Sequence, residues 1–199
     1  MVVIGLTGSI AMGKSATSKI FKSYGVPVFN ADDCVHQLIG PNGKLVSLIG
    51  QRFIGTLEKN KNSQYINRVK LGNIVFKDKK KKKELESIIH PQVSIERKKW
   101  KEQAQRQRSK AICYDVPLLY ETKGEKLCNF VVVVSAPLFV QKHRALNRAD
   151  MTEKKFNNIL KNQISDKEKR KRADFIVNSG LGYRFARNQV HNILLRKVL

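Results

Sequence analysis

An α/β fold with a parallel sheet is the architecture predicted for this chain, on three observations. The apolar run Val2-Val3-Ile4-Gly5-Leu6 leads directly into a glycine-rich turn and then into a helical pattern. A second apolar segment, Val28-Phe29, follows that helix after the turn Gly25-Val26-Pro27, so strand, helix and strand form a unit whose strands pair in parallel. Three more short apolar runs, at residues 111–114, 130–134 and 175–177, bring the expected sheet to five strands.

The glycine-rich turn, residues 8–15, reads GSIAMGKS and meets the pattern GxxxxGKS at Gly8, Gly13, Lys14 and Ser15. Flanked by a strand and a helix, it has the makings of a P-loop. The amides of Gly8, Ser9, Ile10, Ala11, Met12, Gly13, Lys14, Ser15 and Ala16, with the positive end of the helix behind them, form a cradle for phosphate oxygens. Lys14 reaches the terminal phosphates and the Ser15 hydroxyl is a magnesium ligand. Ile10, Ala11 and Met12 are variable positions with nothing unusual about them. The chemistry implied is binding of a nucleoside triphosphate with Mg2+.

Beyond the loop, Ala16, Ile20 and Phe21 mark the inner stripe of a helix that Gly25 ends. At the carboxyl edge of the second strand stand Asn30, Ala31, Asp32 and Asp33. The two carboxylates either face the phosphates or cap the next helix; position alone favours neither. Residues 34–108 read as mostly helical with no convincing strand, and Asn42-Gly43 and residues 59–63 as loops. A helical stripe passes through Ile66, Val69, Ile74 and Val75. The unbroken lysines 79–83 are read as a solvated helix end rather than a polyanion site. His90-Pro91 predicts a break before His90 and a new helix to about Gln107, with His90 near free backbone donors that would meet an anion.

The run 111–114 ends in Asp115, the Walker B arrangement of a carboxylate that orients magnesium or its waters. Pro117, Leu118 and Leu119 close the following turn, and Glu121 adds a second carboxylate. After the strand 130–134, Pro137 opens a helix that becomes basic through Gln141, Lys142, His143, Arg144 and Arg148. Arg144 and Arg148, four apart, are expected on one helix face as a phosphoryl clamp, with a solvated surface as the alternative. Ser165 and Glu168 resemble a capping box, and residues 182–197 a closing helix.

At 199 residues with 41% hydrophobic content, the chain suffices for one good core with room for an inserted subdomain. No stretch approaches the roughly 20 apolar residues of a membrane span, and no charged leader precedes the first strand, so a cytoplasmic protein is expected. Three isolated cysteines, Cys34, Cys113 and Cys128, fit neither a disulfide framework nor a zinc site and read as small buried hydrophobes. The formal charge of +23 favours polyanionic partners. Steering of small anionic ligands is preferred over nucleic-acid binding, because no nucleic-acid module is visible.

Several separated stretches together resemble the dephospho-CoA kinases: LTGSIAMGKS, VFNADDCVHQLI, INRVKLGNIVF, LESIIHPQV, YDVPLLYE, VQKHRALNR, NQIS and RADFIVNSG. IIHP with DVPLLYE is far more specific than the P-loop. The resemblance implies a three-layer P-loop NTPase fold of the nucleoside-monophosphate-kinase kind, a single domain over 1–199. Its core would be about 1–33 and 109–199, with a helical substrate-binding insertion at about 34–108 and a small lid at about 140–165. It further implies transfer of the γ-phosphoryl group of ATP to the ribose 3′-hydroxyl of dephospho-CoA. On that reading Asp32 is the base and Arg144 and Arg148 close over the transferring group. Asp32, His36, Arg68, His90 and Leu118 meet the acceptor, Asn178 lies near the adenine, and Ser15 and, through water, Asp115 hold magnesium. A monomer or small homo-oligomer is expected. Two departures stand out: Ser9 where the family commonly has glycine, which costs backbone freedom if φ is positive there, and Asn30 where it commonly has aspartate. The competing readings are another P-loop small-molecule kinase and, more remotely, an ATP-switched nucleic-acid-binding protein.

Overall fold

A computed structural model describes residues 1–149 and 151–198. In chain order the elements are β1 (Val2–Thr7), α1 (Lys14–Ser23), β2 (Val28–Asn30), α2 (Ala31–Ile39), α3 (Val46–Arg52), β3 (Leu57–Asn60), β4 (Ser63–Ile66), α4 (Arg68–Val75) and α5 (Lys79–Arg106). They continue with β5 (Ala111–Asp115), β6 (Phe130–Ser135), α6 (Leu138–Leu146), α7 (Glu153–Lys161), α8 (Asp166–Arg172), β7 (Phe175–Asn178) and α9 (Tyr183–Lys197). The chain divides into two compact units, Met1–Phe29 with Gln103–Leu199, and Asn30–Glu102.

The first unit holds a five-stranded parallel sheet in the order β2-β5-β1-β6-β7. Val2 pairs with Ala111 on one side and Ile4 with Phe130 on the other, so β1, which delivers the glycine-rich turn, is central. Period-two alternation sorts the strand residues between two layers. Ile4, Leu6, Val132 and Val134 pack with Ile20 and Phe21 of α1 and Val190, Ile193 and Leu194 of α9. Val131 and Val133 point the other way, onto Leu119 and Tyr120. Each such buried side chain contributes on the order of 2 kcal/mol, which seats the second half of α1 on the face of the sheet.

The second unit departs from expectation in three places. Residues 57–66 contain an antiparallel hairpin, Leu57 opposite Ile66 and Asn60 opposite Ser63, where loop and helix were expected. Its stability comes from polar contacts rather than an apolar stripe. Glu58 accepts from the Tyr65 hydroxyl at 2.8 Å and the Asn67 amide at 2.7 Å, and pairs with Lys70 at 3.1 Å. The Tyr65, Asn67 and Lys70 hydrogen bonds, in that order, hold its carboxyl below the ordinary glutamate range. Ile66 therefore ends a strand, and the stripe proposed from it to Val75 fails: Val69 is 73% exposed. The third departure is α5, which runs unbroken through His90 and Pro91. Proline removes one amide donor and crowds one turn, but the turns on both sides keep their ladders in a helix of 28 residues. The lysines at its head are exposed, as expected.

Asn30 resolves the capping question left open at the second strand. It is the N-cap of α2, its side-chain oxygen accepting from the amides of Asp32 at 2.9 Å and Asp33 at 3.2 Å. The two aspartates are thus in the first turn and cap nothing. Asparagine and aspartate serve this position about equally well. Asn30→Asp is expected to leave the melting temperature nearly unchanged, whereas Asn30→Ala loses about 1 kcal/mol in urea unfolding; equal stability of the two variants would remove the cap from the account.

Candidate active site

The glycine-rich turn sits where β1 leaves the sheet, and its glycines have local reasons. A Cβ on Gly8 would lie 2.7 Å from the Val134 carbonyl oxygen on the neighbouring strand. Gly13 takes φ 90° as the residue before α1, with the Ser179 hydroxyl 2.9 Å from where a Cβ would stand. Ser9, the departure from family habit, does not need a positive φ. Ala11 does, at φ 60°, so the conformational cost of roughly 1–2 kcal/mol falls on one of the variable positions of the motif that has nothing unusual about it in sequence. Ser15 and Ala16 lie exposed in the first turn of α1.

Lys14 forms a short ion pair with Oδ1 of Asp115, at the end of β5. Asp115 is 1% exposed, so the pair places a buried carboxylate beside the cradle. Burial, and next to it the Asp115 charge, push the adjacent Cys113 thiol well above its usual range. Cys113 and Cys34 are buried and Cys128 half-buried, and none of the three is in a disulfide.

Arg144, predicted to clamp a phosphoryl group, donates from both terminal nitrogens to Ser179, to the hydroxyl and the carbonyl oxygen, each at 2.9 Å. The Ser179 hydroxyl in turn donates to the Met12 carbonyl at 2.6 Å. Arg144 is therefore beside the cradle, through a serine that the sequence did not flag. Arg148 does not share its helix face: α6 ends at Leu146 with Asn147 as its cap, and Arg148 follows in an exposed turn. Asn178 is fixed by the capping of its own turn, accepting from the Gly180 amide at 3.0 Å, while its amide donates to Gln189 at 3.0 Å. Leu118 is 39% exposed in the turn after β5.

Glu121, read as a second carboxylate near the metal, has other partners. It pairs with fully buried Lys169 at 3.1 Å and accepts from the Ile164 amide at 2.9 Å, while the Lys169 ammonium also donates to the Pro117 carbonyl at 3.2 Å. These contacts fasten the turn after Asp115 to α8. Lys169→Met, close in length but uncharged, is expected to lose about 2 kcal/mol in urea unfolding, the penalty for a carboxylate left without its buried partner. An unchanged midpoint would mean that the pair does not hold the turn. Of the capping box only half forms: Ser165 accepts from the Glu168 amide at 3.2 Å, while the Glu168 carboxylate turns to Arg172.

In the second unit, Arg68 and His36 are brought together with Nη1 and Nε2 2.5 Å apart. A guanidinium only donates, so Nε2 of His36 accepts. Asp32 is exposed in the first turn of α2. His90 is exposed on the middle of the unbroken α5, not at a helix break beside free amides as expected.

The family model for dephospho-CoA kinase matches residues 2–182. The chain belongs to the dephospho-CoA kinase family. Among similar proteins, the dephospho-CoA kinase of Bartonella quintana is 46% identical over 194 residues, covering 98% of this chain and 97% of that one. Its counterpart in Bartonella henselae is 48% identical over 190 residues, covering 96% and 95%. The solved dephospho-CoA kinase from Campylobacter jejuni aligns over 98% of this chain and 96% of its own with a TM-score of 0.71 and 27% identity. A Thermus thermophilus protein shares the fold at a TM-score of 0.83 and 24% identity, covering 100% and 98%. Membership makes this chain a P-loop kinase and sets aside the nucleic-acid alternative. Among the described residues no helix is long and apolar enough to cross a membrane.

Proposed function

We propose that this member of the dephospho-CoA kinase family transfers the γ-phosphoryl group of ATP to the ribose 3′-hydroxyl of dephospho-CoA, giving coenzyme A and ADP. The match of the family model to residues 2–182 carries the reading, and the strand-borne P-loop with its Lys14–Asp115 pair supports it.

The P-loop amides and the start of α1 would bind the β- and γ-phosphates. Lys14 would leave Asp115 for the terminal phosphate as ATP arrives. The Ser15 hydroxyl, exposed in the first turn of α1, and the buried Asp115 carboxylate are hard oxygen donors of the kind magnesium takes, Asp115 acting through a water. Magnesium held there would neutralise charge on the β- and γ-oxygens. Arg144 would turn from Ser179, with Arg148, to the transferring group. Asp32 would accept the 3′-hydroxyl proton, and His36, Arg68, His90 and Leu118 would bind the acceptor. Asn178 would lie near the adenine. Phosphoryl transfer asks little covalent work of the protein, so positioning and charge neutralisation dominate. The segment 140–165 is proposed as a lid that excludes water. A cytoplasmic monomer or small homo-oligomer accompanies this reading.

The test is ADP release by purified protein with ATP and magnesium, comparing dephospho-CoA, AMP and no acceptor. Release that requires dephospho-CoA, with a product carrying a 3′-phosphate, is expected. Release with AMP in its place would transfer the protein to another substrate class.

A further inference from the structure

The apex of the P-loop is gripped from outside by two glutamines. The Ile10 amide donates to Oε1 of Gln163 at 3.1 Å, and Nε2 of Gln141 donates to the Ile10 carbonyl at 2.8 Å. Both polar groups of one residue are thus engaged by side chains from far along the chain. Gln141 lies on α6 and is 2% exposed; Gln163 follows α7 and is half-buried.

The next residue is Ala11, the left-handed alanine. Its methyl is buried in a cluster with Ala145 of α6 and Phe156 of α7, flanked by Ile10, Met151 and Leu160. One step further, the Met12 carbonyl accepts from Ser179. A non-glycine residue persists in left-handed geometry only where its surroundings over-determine it. Here they do so by hydrogen bonds before and after the residue and by apolar packing on it. α6, which supplies Gln141 and Ala145 to this grip, also carries Arg144.

We infer that Gln141 and Gln163 are positioning residues for the nucleotide. They hold the Ile10 peptide so that Ala11 stays left-handed and the phosphate cradle is already shaped before ATP enters. Neither glutamine touches the reacting atoms in this account. Each acts through the loop, which links the α6–α7 segment to ATP affinity. The inference rests on the reading that the loop binds ATP phosphates.

Gln163→Met is the informative variant, because methionine matches the length and volume of glutamine without its acceptor and the site is only half-buried. Calorimetric titration with Mg-ATP is expected to give about five- to tenfold weaker binding, the net effect of losing one such hydrogen bond, while KM for dephospho-CoA is unchanged. Adding Ala11→Gly is expected to recover at least half of that loss on a logarithmic scale, since glycine takes the left-handed backbone without a Cβ penalty. Thermal unfolding of each variant reports whether it is folded. Folded Gln163→Met with wild-type ATP affinity would overturn the inference. So would a loss that Ala11→Gly leaves untouched, because the glutamine would then act by another route. Titration of the wild type separates the two levels: no ATP binding there would overturn the kinase reading itself, and this inference with it.

Discussion

Lys14→Met is expected to lower kcat at least ~10³-fold in an assay of dephospho-CoA-dependent ADP release. The side chain brings the one P-loop ammonium to the site, and it is already held there by Asp115. Removing a single preorganised donor to a developing oxyanion costs ~10²–10³ in rate; here a full positive charge is lost from a transition state that spreads negative charge over the phosphoryl oxygens. Methionine keeps much of the length and the apolar stem. A variant that stays folded yet retains kcat within tenfold of wild type would remove Lys14 from the catalytic machinery.

The second large effect belongs to Asp32. Asp32→Asn is expected to reduce kcat by at least 10²-fold, the scale of a general base, with ATP affinity retained. The substitution is local, because Asn30 caps α2 through the backbone amide of residue 32 and not through its side chain. Loss of kcat with unchanged ATP binding would separate proton removal from nucleotide binding. A kcat like that of wild type would withdraw the base assignment.

The middle of the sheet was legible in the sequence because β1, β5 and β6 are buried along nearly their whole length, and β6 carries the β-branched run that such burial demands. The hairpin β3–β4 was not, since only Ile66 among the residues of LEKN and SQYI is buried and the pairing is owed to Glu58, a carboxylate whose partners lie across the turn. Pro91 misled because a local rule about one residue was applied to a helix long enough to absorb it. In the site, the motif residues Gly8, Gly13, Lys14 and Asp115 fell where their spacing implied. Arg148 did not, because helix periodicity relates residues four apart only while the helix lasts. Ser179, Gln141 and Gln163 left no mark in the sequence beyond lying in or next to recognisable blocks. Hydrogen bonds to a backbone formed more than a hundred residues away have no local pattern.

The strand order carries a consequence for how this protein comes to be folded. The nucleotide motif is complete by residue 15, but β1 acquires its two neighbours only from Ala111–Asp115 and Phe130–Ser135. Until those segments exist, the motif has no sheet to emerge from, and the closure that joins them spans about half the chain or more. Contacts of such sequence separation slow folding, and strands that await distant partners present unpaired edges in the meantime. On a ribosome adding ~5–20 residues per second, the glycine-rich turn therefore precedes by several seconds the two strands that flank β1 and give the turn its sheet edge.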